Sequence, residues 1–578
     1  MKILLCAVNA KYIHTNIAVR LIGGYCRERI SSDISIAEYT INNYTDDIVQ
    51  DLYAKHPDVI AFSCYIWNIR MIYEICTVLK KILPEILIVL GGPEVTYNPH
   101  QILTNLPECD FIITGEGEES SRQLYSCLEN GSALSEIRGI TYRDNSGKII
   151  SNPQNAPIDM GVLPFPYDNF EEIQHRICYY EASRGCPFRC QYCLSSVEKG
   201  VRFAPIEKVK KELSIFLEHR VKQVKFVDRT FNANNSFAME IVNFLIDNDN
   251  KITNFHFEVA AETLSDELLS LLKSARKGLF QLEIGVQSTN SSTLKTICRN
   301  GIIEKVAYVT EELKKAGNIH VHLDLIAGLP HEDIKSFVNS FNDVHSLLPH
   351  QLQLGFLKVL HGSGMEKMCD EYKISYSPFP PYEVLKTHCL SYDDILFLKQ
   401  IEEMVETYYN SNRFVHSLNY LSKHCSDYFG MYAVLSSRRS QMFTENLTHN
   451  KNDTYRFLID AADSFENINK NKFMRMVKFD YLLHEKPKGT PDWVSNMLNP
   501  LNRDDIYDIT IRKNAFQEKF SSLSGISAKE LLNATHVEKM YFNPVTFEDN
   551  ECIIYFNYTE RDTFGNAEYW IENVRREK

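Results

Sequence analysis

Arg184-Gly185-Cys186-Pro187-Phe188-Arg189-Cys190-Gln191-Tyr192-Cys193 places three cysteines within eight residues, spaced C-x3-C-x2-C, directly after an apolar run from Ile177 to Ala182. Iron–sulfur clusters are held by cysteine thiolates, and a cubane has four irons to ligate. Three thiolates on one loop reach three corners and leave the fourth iron open to a substrate. A structural zinc site would need a fourth Cys or His at ligand spacing, and residues 194–215 contain neither. Three inert core cysteines would not cluster on one polar loop containing Gly and Pro.

The spacing, with Tyr192 just before the third cysteine, resembles the radical S-adenosylmethionine (SAM) enzymes. The resemblance implies that Cys186, Cys190 and Cys193 are catalytic and bind a 4Fe–4S cluster whose open iron takes the amino and carboxylate groups of SAM. It also implies reductive cleavage of SAM to a 5′-deoxyadenosyl radical.

The elements that must present this loop can be read from alternating patterns. Residues 177–360 hold apolar runs at Val224–Val227, Phe255–Ala260, Leu279–Ile284, Val321–Ile326 and Leu352–Val359, separated by amphipathic segments such as Ile206–Leu217 and Val306–Lys315. With the strand before the cysteines this predicts six βα units, a partial (β/α)6 barrel. Functional groups in such barrels gather at the carboxyl ends of the strands. Asp228 follows the second strand, and Glu258 lies in the third. Glu283, Gln287 and Ser288 lie toward the end of the fourth, and Asp324 and Gly328 toward the end of the fifth. In the radical SAM resemblance these positions line SAM, with the glycine segment along the adenine. A carboxylate such as Glu258 is also a natural salt-bridge partner.

Upstream, residues 1–150 alternate strands (Lys2–Val8, Ile34–Tyr39, Val59–Ser63, Ile86–Leu90, Phe111–Thr114) with helices (Ile17–Arg29, Asn68–Lys81, Glu118–Leu128). This predicts an α/β parallel sheet, whose ligands bind outside the carboxyl ends of the strands. Four conspicuous segments fall there, carrying Tyr12 and His14, Ser63 and Trp67, Gly91 and Gly92, and Gly115, Glu116 and Gly117. Each could simply turn strand into helix. Together they resemble the Rossmann-like cobalamin-binding domain fused ahead of many radical SAM barrels, and the resemblance assigns them to cobalamin. The Asp-x-His-x-x-Gly pattern that supplies a cobalt ligand is absent, because this loop reads Asn9-Ala10-Lys11-Tyr12-Ile13-His14. His14 is then a polar loop residue or an unusual ligand, and base-off cobalamin without a protein ligand is expected.

A hairpin over residues 138–151, turning at Asp144-Asn145-Ser146-Gly147, closes this domain. Four prolines between Asn152 and Asp168 mark a linker. The domains expected are 1–151 (cobalamin-binding), 152–175 (linker), 176–365 (radical SAM barrel) and 366–578. The last carries no known catalytic signature. It reads as mainly helical, with a helix hairpin over Tyr382–Tyr409, a mixed polar stretch over Lys451–Asp492 and a small sheet within Asn533–Tyr569. The whole arrangement resembles cobalamin-type radical SAM proteins with a family-specific C-terminal domain.

Composition sets the remaining bounds. The chain has 578 residues, 44% hydrophobic and 24% charged, which is ordinary for a globular protein. Its formal charge of −13 argues against nucleic acid as the main partner. No stretch is apolar enough to span a membrane, and the fifteen cysteines suit a reducing cytoplasm. The family resemblance implies a small-molecule substrate, an electron donor such as flavodoxin or ferredoxin, and methyl transfer from methylcobalamin to an unactivated carbon. The alternatives are a non-methylating radical rearrangement, cyclisation or oxidation, and a corrinoid-binding sensory or carrier module.

Overall fold

In the computed structural model, residues 1–197, 200–442, 451–487, 491–495, 509–562 and 565–573 are described. They form two compact units, one of residues 1–333 with 356–392, the other of 334–355 with 393–578.

The first unit begins with β1 (Lys2–Asn9), α1 (Ile17–Arg27), β2 (Asp33–Thr40), α2 (Thr45–Ala54), β3 (Val59–Ser63), α3 (Ile69–Ile82), β4 (Leu87–Gly91), α4 (Pro93–Thr96), α5 (Pro99–Asn105), β5 (Phe111–Ile113), α6 (Gly117–Asn130), β6 (Ile140–Arg143) and β7 (Ile149–Ser151). The sheet order is β2-β1-β3-β4-β5-β6-β7, parallel through β5 and antiparallel in the closing hairpin. Alternation along β1 divides its core. Leu4 and Cys6 pack with α2 and α3, whereas Ile3, Leu5 and Ala7 pack with α1 and α6. The chain therefore leaves β1 toward one face and β3 toward the other, which opens a crevice at their carboxyl ends. The sequence pattern misses α2, α4 and α5, whose short apolar stretches are weak periodic signals.

The second sheet follows from β8 (Cys178–Tyr180), the antiparallel pair β9 (Ser183–Cys186) and β10 (Gly200–Phe203), α7 (Ile206–Glu218), β11 (Gln223–Phe226), α8 (Asn235–Asp247), β12 (Asn254–Val259), α9 (Asp266–Ser274), β13 (Phe280–Gln287), α10 (Ser291–Thr296), α11 (Ile303–Ala316), β14 (His320–Ala327), α12 (Ile334–Ser346) and β15 (Gln351–Phe356). Within the first unit its order is β14-β13-β12-β11-β8, all paired in parallel, while α12 and most of β15 belong to the second unit. Phe226, Phe257, Leu282 and Leu323 on its outer face are fully buried. Parallel strands covered on both faces normally read as continuous apolar runs. Here the strands alternate, and the inner face carries Lys225, His256, Glu258, Glu283, His322 and Asp324.

The second unit is mainly helical, including Val415–Ser422, Tyr428–Met442, Lys451–Ala461 and Lys470–His484. Thr535–Met540, Cys552–Arg561 and Ala567–Asn573 form an antiparallel sheet. Two expectations need correction. Tyr382–Tyr409 is not a helix hairpin: Val384–Lys386 is a strand, and a single helix runs Tyr392–Met404 before widening to a π-turn at Val405–Asn410. The Thr387 hydroxyl accepts the Cys389 and Leu390 amides and makes the turn that delays the helix. Much of Lys451–Asp492 is also core helix, with nine consecutive buried residues from Met476 to His484.

Candidate active site

The cysteine loop is held from three sides. Asp228, buried after β11, accepts the Ala182 amide at 3.0 Å and the Ser183 hydroxyl at 2.6 Å, fixing the start of β9. Burial pushes its carboxyl up to about 7 despite these bonds. Gly185 has φ +98°, and a Cβ there would lie 2.1 Å from the Gly200 carbonyl oxygen, so only glycine lets β9 meet β10 at this point. The Gln191 amide donates to the Ile297 carbonyl, and the Gln191 carbonyl accepts the Met365 amide. Cys190 is buried, Cys186 and Cys193 are part-exposed, and all three are free thiols. Cys186 Sγ lies 3.5 Å from the Thr230 hydroxyl.

Arg299 is a residue that sequence reasoning missed. Its guanidinium lies 3.8 Å from Cys190 Sγ and 3.4 Å from the Tyr192 hydroxyl, and it also donates to the Gly285 carbonyl. Burial pushes the Cys190 thiol up, and the Arg299 charge opposes that by favouring the thiolate. Three thiols on one loop with a cation behind them suit a cluster bound by three cysteines. Arg299 lies 109 positions from Cys190, so no local motif announces it.

The residues expected around SAM divide into two levels. Gln287 sits at φ +73° with its Oε1 buried and unpartnered. Ser288 donates to Glu332 at 2.6 Å. Gly328 has φ +91°, and a Cβ would meet the Val384 side chain at 2.6 Å. These are at the carboxyl ends of β13 and β14, and the orphaned Gln287 oxygen suits a polar ligand. Glu258, Glu283 and Asp324 lie deeper in the barrel lumen. Glu283 accepts Lys225 at 3.1 Å and His256 at 3.0 Å, which hold its carboxyl below the usual range against burial. Burial raises the Glu258 carboxyl to about 7, with the Glu283 charge adding to it. Asp228 acts on the cysteine strand.

A cleft of about 690 Å³ opens at the crevice between β1 and β3. It runs from His14, Ser63, Trp67, Gly91, Gly92, Gly115, Glu116 and Gly117 down between the sheet (Leu5, Ala61, Val89, Ile113) and the helices α1 and α6 (Val19, Ile22, Tyr125). Its other wall includes Tyr179, Ser183, Arg184, Gly185, Leu194 and Ser195 beside the cysteines. An apolar slot opening onto glycine-rich strand ends suits a corrinoid with a nucleotide tail. Gly92, with φ +112°, packs against Cys64, whose carbonyl oxygen a Cβ would approach to 2.6 Å. Asn16 caps α1 and also donates to Ser63 at 3.2 Å, tying the two diverging loops together. His14 Nδ1 lies 2.8 Å from the Tyr179 hydroxyl. Tyr12 is not part of the cleft lining: its ring is exposed and faces the Arg176 guanidinium at 4.8 Å. Glu116 receives Arg202, the Ile158 amide at 2.7 Å and Arg184 at 3.3 Å. Arg184 also pairs with Glu118 at 2.5 Å and Glu181 at 2.9 Å, joining the first sheet domain to the cysteine strand.

Comparison with known proteins places these parts in families. Residues 3–124 match the B12 binding domain, residues 180–344 the radical SAM superfamily, and residues 370–556 a protein of unknown function, DUF4080. The chain is 26% identical over 315 residues to the uncharacterized methyltransferase PH0819 of Pyrococcus horikoshii, covering 53% of this chain and 68% of that one. It is 26% identical over 303 residues to the cobalamin-dependent radical SAM methyltransferase TokK of Streptomyces tokunonensis, covering 49% and 44%. The chain thus spans about half to two thirds of the length of these curated relatives. The structure of OxsB, a cobalamin-dependent S-adenosylmethionine radical enzyme, shares the fold with TM-score 0.59 at 17% identity, covering 91% of this chain and 84% of that one. Among the described residues no helix is long and apolar enough to cross a membrane.

Proposed function

We propose that this protein, a radical SAM enzyme with a fused B12-binding domain and a DUF4080 region, transfers a methyl group to an unactivated carbon of a small molecule. The observation that carries the reading is the shared cleft: strand-end loops of the B12-binding domain form one wall, and residues flanking the cluster cysteines form the other. When bound, the 4Fe–4S cluster with SAM supplies an adenosyl radical, and cobalamin supplies a transferable methyl group.

The chain's own residues hold and orient these groups. Cys186, Cys190 and Cys193 ligate iron, and Asp228 and Gly185 fix the strand that carries them. Arg299 lowers the cost of negative charge on Cys190 and steadies Tyr192. Gln287, Ser288 and Gly328 cradle SAM at the strand ends. Ser63, Trp67, Gly91, Gly92, Gly115 and Gly117 line the corrinoid site. His14 is turned to Tyr179 and acts there as a wall of the cleft rather than as a cobalt ligand. Glu116 and Arg184 brace the two walls. An electron donor of the flavodoxin or ferredoxin kind supplies the reductant, and a cytoplasmic setting keeps the thiols reduced.

The test is a product count. Cluster- and cobalamin-loaded enzyme, SAM and a low-potential reductant are incubated anaerobically with an extract of the source organism. Methyl transfer with cofactor turnover yields both 5′-deoxyadenosine and S-adenosylhomocysteine, dependent on the extract. Extract-dependent 5′-deoxyadenosine without S-adenosylhomocysteine would instead indicate a non-methylating rearrangement.

A further inference from the structure

The inner face of β12, β13 and β14 presents polar side chains or glycine at successive inward positions, from Asn254 to Glu258, Gln281 to Gly285 and His320 to Asp324. Within this lumen Glu283 and His322 are direct cross-strand partners, and Asp324 lies two residues further along the same face of β14. One ligand atom from each of Glu283, His322 and Asp324 lies within 4.8 Å of the others. The geometry of the His322–Asp324 pair adds to that spacing. His322, 5% exposed, faces Asp324 Oδ1 with its buried Nε2 at 3.0 Å, close enough for an ion pair, yet neither atom makes a well-directed hydrogen bond. Buried polar atoms are nearly always satisfied. Two that face each other in poor hydrogen-bond geometry point to a shared third partner.

We propose that Glu283, His322 and Asp324 form a binding site for a divalent transition-metal ion in the barrel lumen. One imidazole and two carboxylates suit Zn²⁺, Fe²⁺ or Mn²⁺. Lys225 and His256 both meet Glu283 Oε2, leaving the other carboxylate oxygen for the ion. They are the outer hydrogen-bonding partners that metal-binding carboxylates require. Three protein ligands leave coordination positions open, as in catalytic rather than structural sites. Glu283, paired with His322, lies four residues before Gln287 on β13, and Asp324 pairs with Gly285 two residues before it, so the site is deeper in the lumen than Gln287. The inference stands on the lumen side chains, and metal binding can be read without turnover, so it can fail or succeed independently of methyl transfer.

The experiment titrates Mn²⁺ into full-length, anaerobically prepared, cluster- and cobalamin-loaded protein, with free Mn²⁺ followed by electron paramagnetic resonance. One Mn²⁺ per chain should bind and be displaced by Zn²⁺. His322→Ala and Asp324→Asn should each weaken binding by about ten-fold or more, and His256→Ala by about ten-fold. Iron, sulfide and cobalamin contents should stay unchanged in each, which reports that the barrel is folded. The inference is overturned if the wild type takes up no stoichiometric Mn²⁺ or Zn²⁺. It is also overturned if folded His322→Ala and Asp324→Asn bind the ion as tightly as the wild type.

Discussion

At the residue scale the site depends on charges and donors whose partners are distant in sequence. Cys186→Ala, Cys190→Ala and Cys193→Ala should each abolish 5′-deoxyadenosine formation, whereas Cys76→Ala should not, because Cys76 packs in the core between α3 and the first sheet. Retained cleavage in the triple alanine variant would remove the cluster from this loop. Asp228→Ala leaves the Ala182 amide and Ser183 hydroxyl without their acceptor, at about 1–3 kcal/mol for each buried donor. Reduced cluster occupancy and a lowered denaturation midpoint are the expected readouts. Glu116 gives a pH signature. Burial alone would raise its carboxyl, but the Arg202 hydrogen bond and the Arg184 charge hold it below the usual range. Its contribution is present above the unfolded pKa of about 4.3 and is lost as pH falls through the lower folded value. Glu116→Gln should thus be less stable than the wild type at neutral pH, with the gap closing in acid below about pH 4. An equal gap at all pH values would show that Glu116 acts through packing. The cysteines are legible in sequence because their spacing is local. Lys225 and His256 are not, because what they face depends on sheet register, and Arg299 is not, because the loop after α10 brings it to Cys190 from 109 positions away.

At the element scale, two backbone conformations hold the walls of the cleft. Gly92→Ala would force a side chain at φ +112° into the Cys64 carbonyl, strain of about 1–3 kcal/mol. Cobalamin uptake should fall in Gly92→Ala while the cluster still assembles. Gly185→Ala should do the reverse, impairing the cluster loop first. If both variants lost both cofactors equally, the two walls would not be separable structures. The strands of both sheets are legible from alternation, usually to within a residue or two at each end. The polar lumen is not legible from those apolar runs, because it emerges only where alternate residues of parallel strands turn to a face away from the helices. Within Tyr382–Tyr409 the helix is legible from apolar spacing, but its start at Tyr392 is not, since the break before it comes from a Thr387 side-chain turn.

At the scale of the first unit, Arg184 joins the B12-binding domain to the cluster strand through Glu116, Glu118 and Glu181. Arg184→Met would leave three largely buried carboxylates around an uncharged side chain, a loss of about 3–5 kcal/mol for breaking a buried pair. Thermal unfolding should show the loss, and the two sheets should become separable by proteolysis within the 152–175 segment. An unchanged unfolding curve would mean that the domains are held elsewhere. The order of domains is legible from the cysteine loop, the glycine strand ends and the proline-rich linker. The role of residues 370–556 is not, because their buried aromatics serve a core and carry no spacing tied to chemistry. The cluster site and the corrinoid site should act together on one carbon. SAM carrying a trideuteromethyl group, supplied to loaded enzyme with extract and reductant, tests it by mass spectrometry. A new metabolite bearing the labelled methyl on carbon, absent with Cys190→Ala, is the expected result. A product formed with 5′-deoxyadenosine but without the label would contradict it.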